Sequence, residues 1–148
     1  MARKRPKTID KSSREWKLTE HLTRFVNEVF GRRLRPSRAV FDAVVDALDA
    51  GYDADELRIA FWAARCLKGE WIGSELQSSL PAHVVLRFHG GMNTTTGKPA
   101  VRWLDDLSSR APEMNSRLVG IVLDTLPEDM RESERELLKR QGVTIETR

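Results

Sequence analysis

The chain is 148 residues long, the size of one ordinary domain, which excludes multidomain enzymes and long repeat arrays. Its apolar share of 40% and charged share of 32% are typical of a globular protein, and no apolar run suits a membrane span or a secretory signal. Residues 1–38 carry 12 Lys/Arg and 4 Asp/Glu, a net charge of +8, whereas residues 39–148 carry 13 and 18, a net charge of −5. This asymmetry indicates a basic segment for a polyanion, joined to a near-neutral body.

The first half of the chain predicts a basic arm and three helices. Residues 1–11 have no apolar periodicity, so we expect a flexible arm that precedes a single helical domain over residues 12–148. Apolar residues at three- and four-residue spacing, each series opened by a serine or aspartate cap, predict helices over about 13–30, 38–50 and 53–68. The third helix is apolar around most of its circumference, with Phe61 inside, which places it at the centre of a bundle.

The second half predicts shorter helices and one loop. We expect a short helix that contains Phe88 and ends at Gly90-Gly91, followed by a polar loop over residues 92–99. Apolar spacing then predicts three more helices, over about 100–109, 112–125 and 127–140. The segment VTIET at 143–147 is either a frayed tail or one short strand. The predicted fold class is therefore all-α, mostly a helical bundle, with at most one short C-terminal strand.

No group of residues in the sequence is typical of a catalytic or metal site. The three histidines are not spaced as zinc ligands. The loop over residues 91–99 has one residue too many between its glycines for a phosphate-binding loop, and a proline follows its lysine. Asp105 and Asp106 are adjacent on a helix, so their carboxylates diverge by about 100°. The lone Cys66 falls on an apolar helix face and fits a reducing cytoplasm. We therefore expect no enzymatic activity, no cofactor and no metal.

The second helix, the turn at Gly51 and the third helix resemble a helix-turn-helix unit. A recognition helix contacts bases with its N-terminal residues. Here those residues would include Asp53, Asp55 and Glu56, whose carboxylates are repelled by phosphate. We therefore interpret the pair as two packed helices of a bundle.

Two groups of basic residues suit contacts with the nucleic-acid backbone. The first lies in the arm and the second flanks Pro36 between the first two helices; their members are Arg3, Lys4, Arg5 and Lys7, then Arg32, Arg33, Arg35 and Arg38. Because phosphate contacts carry no base information, such groups give affinity with little sequence specificity. We expect DNA as the partner.

A third candidate lies on the one polar stripe of the third helix, formed by Arg58, Trp62 and Arg65. An aromatic ring between two guanidinium groups is suited to stacking on a base of a single strand. The alternative is that Trp62 packs under another segment and that the arginine stems cover it. The sequence leaves both interpretations open.

Three short motifs follow one another within residues 51–91. They are Gly51-Tyr52 before an acidic-leading helix with Leu57, Arg58, Phe61 and Ala64; Lys68-Gly-Glu-Trp71; and Leu80-Pro81 before Val85-Leu86-Arg87-Phe88. This order resembles the C-terminal domain of phage replication proteins of the replisome-organiser or helicase-loader type. The resemblance implies a helical, non-enzymatic domain that helps a primosome assemble on DNA. The matching positions are structural ones: Gly51, Tyr52, Leu57, Phe61, Trp71, Pro81 and Phe88.

Together these observations predict a cytoplasmic DNA-binding accessory protein of phage or mobile-element replication, with a replicative helicase or another host replication protein as its partner and no membrane role. The alternative is a small phage-type inhibitor or adaptor that binds a host protein, with its basic arm on an acidic protein surface. The two functions differ in a simple observable. The first protein shifts nucleic acid at about 0.15 M salt, where phosphate contacts still hold, and the second only co-purifies with a protein.

Overall fold

The computed structural model of the chain describes residues 8–67, 82–101 and 103–146, and this part of the chain is mostly helical. Its helices are α1 (Arg14–Phe30), α2 (Arg38–Asp49), α3 (Ala54–Cys66), α4 (Ala82–Val85), α5 (Leu104–Ser109), α6 (Ser116–Thr125) and α7 (Glu128–Arg140). A two-stranded antiparallel hairpin, β1 (Phe88–Met92) and β2 (Pro99–Val101), lies between α4 and α5. The all-α class is confirmed.

Side-chain caps fix where the first three helices begin. The Ser13 and Ser37 hydroxyls accept hydrogen bonds from backbone N–H groups in the first turns of α1 and α2. At the start of α3 the Asp53 carboxylate accepts the Glu56 N–H while the Glu56 carboxylate accepts the Asp53 N–H, which makes a complete capping box. Gly31, with φ of 66°, ends α1 in the left-handed conformation that glycine adopts without strain. These boundaries are the predicted ones to within two residues.

Helix α3 is the centre of the molecule. Helix α1 from the first half of the chain packs against it, and so do α4, α5, α6 and α7 from the second half. Its apolar residues are almost all buried, and Phe61 is only 3% exposed, as expected for a core position. Small residues at 60, 63 and 64 allow the neighbouring helices to approach closely. The prediction of a central helix is confirmed.

The hairpin corrects the predicted boundaries on either side of the loop. Phe88 and the two glycines at 90 and 91 belong to β1 instead of ending a helix, and Ala100 belongs to β2 instead of starting one. Both glycines have positive φ, 86° and 78°, and the register between the strands shifts there. The Asn93 side chain closes the turn by accepting the N–H groups of two residues that follow it. The two glycines mark a bulged strand here. The local spacing of residues in the sequence does not distinguish such a strand from the end of a helix.

Two boundaries in the C-terminal half also differ from the prediction. Helix α6 begins at Ser116, because residues 111–113 form a separate 3-10 turn. Residues 143–146 form neither a strand nor a loose tail: Val143 is buried and the Glu146 N–H donates to the Ser116 carbonyl at 3.2 Å. A Cβ at Gly120 would collide with the Glu146 carbonyl, so this segment lies directly against α6. The strands of the described residues therefore lie in the hairpin, and the predicted C-terminal strand is wrong for residues 143–146.

In the part of the chain that the structure describes, no helix combines the length and the apolar character needed to cross a membrane.

Candidate nucleic-acid interface

A buried carboxylate joins three helices at the centre of the molecule. Glu134 of α7 is 1% exposed. Its Oε2 accepts the indole N–H of Trp62 at 2.6 Å. Its Oε1 accepts Nη2 and Nε of Arg58 at 2.8 and 3.1 Å and lies 2.6 Å from Nε2 of His21. We call this set of four side chains the Glu134 junction; it ties α7 to α3 and α1.

The Glu134 junction keeps its carboxylate ionised despite burial. Burial by itself raises the pKa of Glu134, because the charged form loses water. The hydrogen bond with His21, the charge of Arg58 and the bond from Trp62 outweigh that effect and hold the pKa of Glu134 below its usual value. A buried charge that is paired and fully hydrogen-bonded is tolerated, whereas removal of one partner leaves it uncompensated.

The polar stripe of α3 is therefore not an accessible stacking surface. Trp62 is 0% exposed, and its ring packs 5.1 Å from that of Phe25. The Arg58 side chain is 17% exposed and is ion-paired, and the Arg65 guanidinium lies 5.6 Å from the ring of Phe30. The interpretation that Trp62 meets a base is wrong in this structure, and the packing alternative is correct. Because Arg58 is ion-paired with Glu134, it is not a candidate for binding a phosphate.

The connector between α1 and α2 exposes a group of basic residues. Arg32, Arg33, Arg35 and Arg38 are all exposed there, as is Leu34 at 44%. Arg38 pairs with Asp42 one turn later on α2, at 3.2 Å. Arg33 and Arg35 form no ion pair with any residue that the structure describes, so their charges are available to an external anion.

One side chain holds this connector in place. The amide of Asn27, on the last turns of α1, donates from Nδ2 to the Leu34 carbonyl at 2.8 Å and accepts the Leu34 N–H at Oδ1 at 2.9 Å. The pair of bonds clasps the backbone between Arg33 and Arg35 without using either guanidinium. A segment that is ordered before binding loses less conformational entropy when it meets a ligand.

A row of cationic and aromatic side chains leads from the connector to the base of the arm. The Arg38 guanidinium lies 5.9 Å from the ring of Phe41, whose centroid is 6.1 Å from that of Trp16. The Lys11 ammonium lies 6.0 Å from the centroid of Trp16. The packing of α1 on α2 therefore brings the end of the arm and the end of the connector to one side of the molecule. We call this surface the basic rim; its members are Lys11, Trp16, Arg32, Arg33, Arg35, Arg38 and the supporting Phe41.

The four arm residues of the sequence prediction, Arg3, Lys4, Arg5 and Lys7, lie outside the described residues. Lys11 is the described basic residue nearest to them in the chain. Its ammonium lies 6.0 Å from the Trp16 ring, within the basic rim.

The opposite sign of charge collects around the start of α3. A cavity of about 460 Å³ there is lined by Tyr52, Glu56, Asp105 and Asp106 among others. Lys98 of the hairpin pairs with Glu56 at 3.0 Å, and the Tyr52 hydroxyl donates to Asp105. Burial and the neighbouring Asp105 carboxylate raise the pKa of Tyr52. These contacts cover the N-terminus of α3 with the hairpin and with neighbouring carboxylates. The helix-turn-helix interpretation therefore has no accessible recognition helix, and the bundle interpretation is correct.

Several positions that carry the resemblance to phage replication proteins are described. Gly51, with φ of 100°, Tyr52, Leu57 and Phe61 form the turn and the buried face of α3, whereas Trp71 and Pro81 lie outside the described residues. No protein-family model, curated protein or solved structure matches this chain. The resemblance stays a prediction.

Sequence reasoning missed Lys11, Trp16 and Phe41 as members of the basic rim, and it missed Asn27, which holds the connector. Trp16 lies near basic residues in the sequence, and an aromatic residue among exposed cations is a signal that could have drawn attention to it. Asn27 had no such signal, because its two bonds reach seven residues along the chain to a segment without regular structure.

Among the described residues, no three His, Cys, Asp or Glu side chains converge to hold a metal ion.

Proposed function

We propose that the protein is a non-enzymatic DNA-binding accessory protein of the cytoplasm that contacts the nucleic-acid backbone through its basic rim and arm. The observation that carries the proposal is the exposure of Arg33 and Arg35 on a connector clasped by Asn27, without an ion pair to any described residue. Charges that an acidic neighbour does not already neutralise release counterions when they meet phosphate, which is the main source of sequence-independent affinity.

The distribution of charge supports one binding side. The carboxylates around the cavity at the start of α3 repel phosphate, whereas the basic rim has an excess of cations. Nucleic acid is therefore attracted to the α1–α2 side and leaves the rest of the body available to a protein. The resemblance of residues 51–91 favours replication of a phage or mobile element, with a replicative helicase or another replication protein as that partner.

The proposal is tested by fluorescence anisotropy with a labelled DNA oligonucleotide, titrated over a series of salt concentrations. We expect binding at about 0.15 M salt and a log–log salt slope that flattens by about 1.8 on duplex, or about 1.4 on a single strand, when Arg33 and Arg35 are both replaced by alanine. The matched control replaces Arg117 and Lys139, two exposed cations on α6 and α7, and keeps the wild-type slope. Equal slopes for the two double variants would place the DNA elsewhere.

The arm is tested in the same titration. Deletion of residues 1–8 removes Arg3, Lys4, Arg5 and Lys7, and we expect weaker binding to all sequences alike, with the slope flattened by about 0.9 per lost contact on duplex. An unchanged slope means that the arm is not part of the interface.

A second measurement distinguishes the proposed function, with a replicative helicase as partner, from the inhibitor or adaptor function. We expect the purified protein to bind DNA alone and to co-elute with a replicative helicase in gel filtration. If it binds no DNA at 0.15 M salt but forms a stable complex with a host protein, the inhibitor or adaptor function replaces the proposed one. In that case the basic rim meets an acidic protein surface, and the alanine variant of Arg33 and Arg35 weakens that complex instead.

A further inference from the structure

Trp16 is an aromatic residue of the basic rim that is not fully buried. It lies on the first turn of α1 and is half-buried, whereas its neighbour Phe41 is 5% exposed. Its indole N–H forms no hydrogen bond with any residue that the structure describes. Phe41 thus packs against the indole of Trp16, and part of the indole ring remains exposed to solvent at the basic rim.

The surroundings of Trp16 match the requirements of a base-stacking site. A stacking site needs a fixed aromatic face and cations that hold the phosphates on either side of the stacked base. The ring is fixed by Phe41 at 6.1 Å, and Lys11 and Arg38 lie at the two ends of the row that contains both rings. The Lys11 side chain is exposed and long, so its ammonium group can turn away from the ring towards a phosphate.

We propose that Trp16 stacks on an unpaired base, with Lys11 on a flanking phosphate, and that the protein therefore prefers single-stranded to duplex DNA. This inference rests on the proposed function and adds the form of nucleic acid to it. A duplex hides the faces of its bases, so it can use the cations of the basic rim but not the ring. The preference comes from one side chain, and the salt dependence comes from the others.

The test compares Trp16→Leu and Trp16→Phe with the wild type. Leucine keeps an apolar side chain on Phe41 but has no aromatic face, whereas phenylalanine keeps a face of smaller area. Affinities are measured for an oligothymidine strand and for a duplex of the same length at about 0.15 M salt. We expect Trp16→Leu to weaken binding to the single strand by about 5- to 150-fold, Trp16→Phe to weaken it less, and both to change duplex affinity by less than about threefold.

A spectroscopic measurement covers the case in which Trp16→Leu folds poorly. Stacking on a base quenches indole fluorescence, and the chain has four tryptophans, of which Trp16→Phe removes one and keeps the other three. Oligothymidine is expected to quench the wild type and to leave the emission of Trp16→Phe unchanged, with Trp103→Phe as the control that keeps the quenching. Quenching that persists in Trp16→Phe overturns the inference.

The outcomes separate this inference from the proposed function. If the wild type binds both DNA forms and Trp16→Leu loses affinity for neither, or for both equally, the stacking site is wrong and the phosphate-binding function remains. If the wild type binds neither form, the proposed function fails and the stacking site fails with it.

Discussion

The Glu134 junction and the basic rim contain the same kinds of side chain and use them in opposite ways. Each combines a tryptophan on a helix with basic side chains. At the Glu134 junction a carboxylate from 72 residues further along the chain takes the indole N–H of Trp62 and the guanidinium of Arg58. At the basic rim, Arg33 and Arg35 have no such acidic partner among the described residues. A tryptophan next to arginines on one helix face therefore does not by itself indicate an accessible surface, because a distant acid can bury and pair them.

The two tryptophans give the largest expected contrast. Trp62→Ala empties a site that is 0% exposed and leaves Glu134 without one of its donors. We expect it to lower the free energy of unfolding by about 3–5 kcal/mol. Trp16→Leu, which keeps part of the contact with Phe41, is expected to cost less than about 1.5 kcal/mol.

Urea melts of both variants measure the contrast. The remaining folded fraction of Trp62→Ala should bind single and double strands as the wild type does. If Trp62→Ala is as stable as the wild type but loses single-strand binding, the roles of the two tryptophans are reversed.

A smaller change in the same place tests the charge of Glu134. Glu134→Gln keeps the size of the side chain and removes the charge that Arg58 neutralises. Because hydrogen bonds to charged groups contribute about 1.5–3 kcal/mol each, we expect a loss of that order in the free energy of unfolding. The control is Glu132→Gln, on the same helix and exposed at 69%, which should change stability by less than about 0.5 kcal/mol. Equal melts for the two variants would mean that the Glu134 junction contributes nothing through charge.

Acid should remove this contribution in a predictable pH range. The pKa of Glu134 is lower in the folded protein than in the unfolded chain, so the unfolded chain binds the proton more readily. The stabilisation is then complete above the unfolded value of about 4.3 and is lost as the pH falls through the lower folded value. The difference in unfolding free energy between wild type and Glu134→Gln, measured by urea melts from pH 7 to pH 3, should therefore shrink only below about pH 4.5. A difference that grows towards acid contradicts the assignment.

The smallest expected effect concerns the clasp of the basic rim. Asn27→Ala removes two hydrogen bonds between half-exposed groups, so we expect a stability loss of about 0.5–1.5 kcal/mol. Trypsin should cut the freed connector after Arg32 or Arg33 faster than in the wild type, while DNA affinity falls without a change in salt slope, since no charge is lost. Asn27→Gln, which keeps the amide on a longer stem, is the control for polarity. If cleavage of Asn27→Ala is as slow as in the wild type, other contacts order the connector.

The sequence was sufficient for what depends on neighbours in the chain. Apolar spacing and the caps Ser13, Ser37 and Asp53 predict α1, α2 and α3 to within two residues, and the apolar circumference of α3 predicts its central position. Charge counting predicts the region in which Arg33 and Arg35 are exposed. These features arise within a turn or two of helix and need no knowledge of the tertiary fold.

Features that depend on distant residues were missed. The hairpin around Asn93 requires pairing between residues on either side of a loop, and its glycines locally resemble a helix end. The acceptor of the Trp62 indole N–H is Glu134, 72 residues away, and the position of Trp16 depends on the packing of α1 against α2 through Phe41. Each of these is a tertiary contact that no periodicity in the sequence encodes.

The central position of α3 also has a consequence for the order of folding during synthesis. Helices α5, α6 and α7, which all follow residue 103, pack against α3. A nascent chain that has emerged only as far as the hairpin therefore exposes the apolar side of α3. Contacts between residues far apart in sequence slow folding, since the intervening chain must be closed into a loop first. We expect the cooperative fold to form only after α7 has left the ribosome, so a ribosome-bound chain stalled before α7 should be cut by protease within α3.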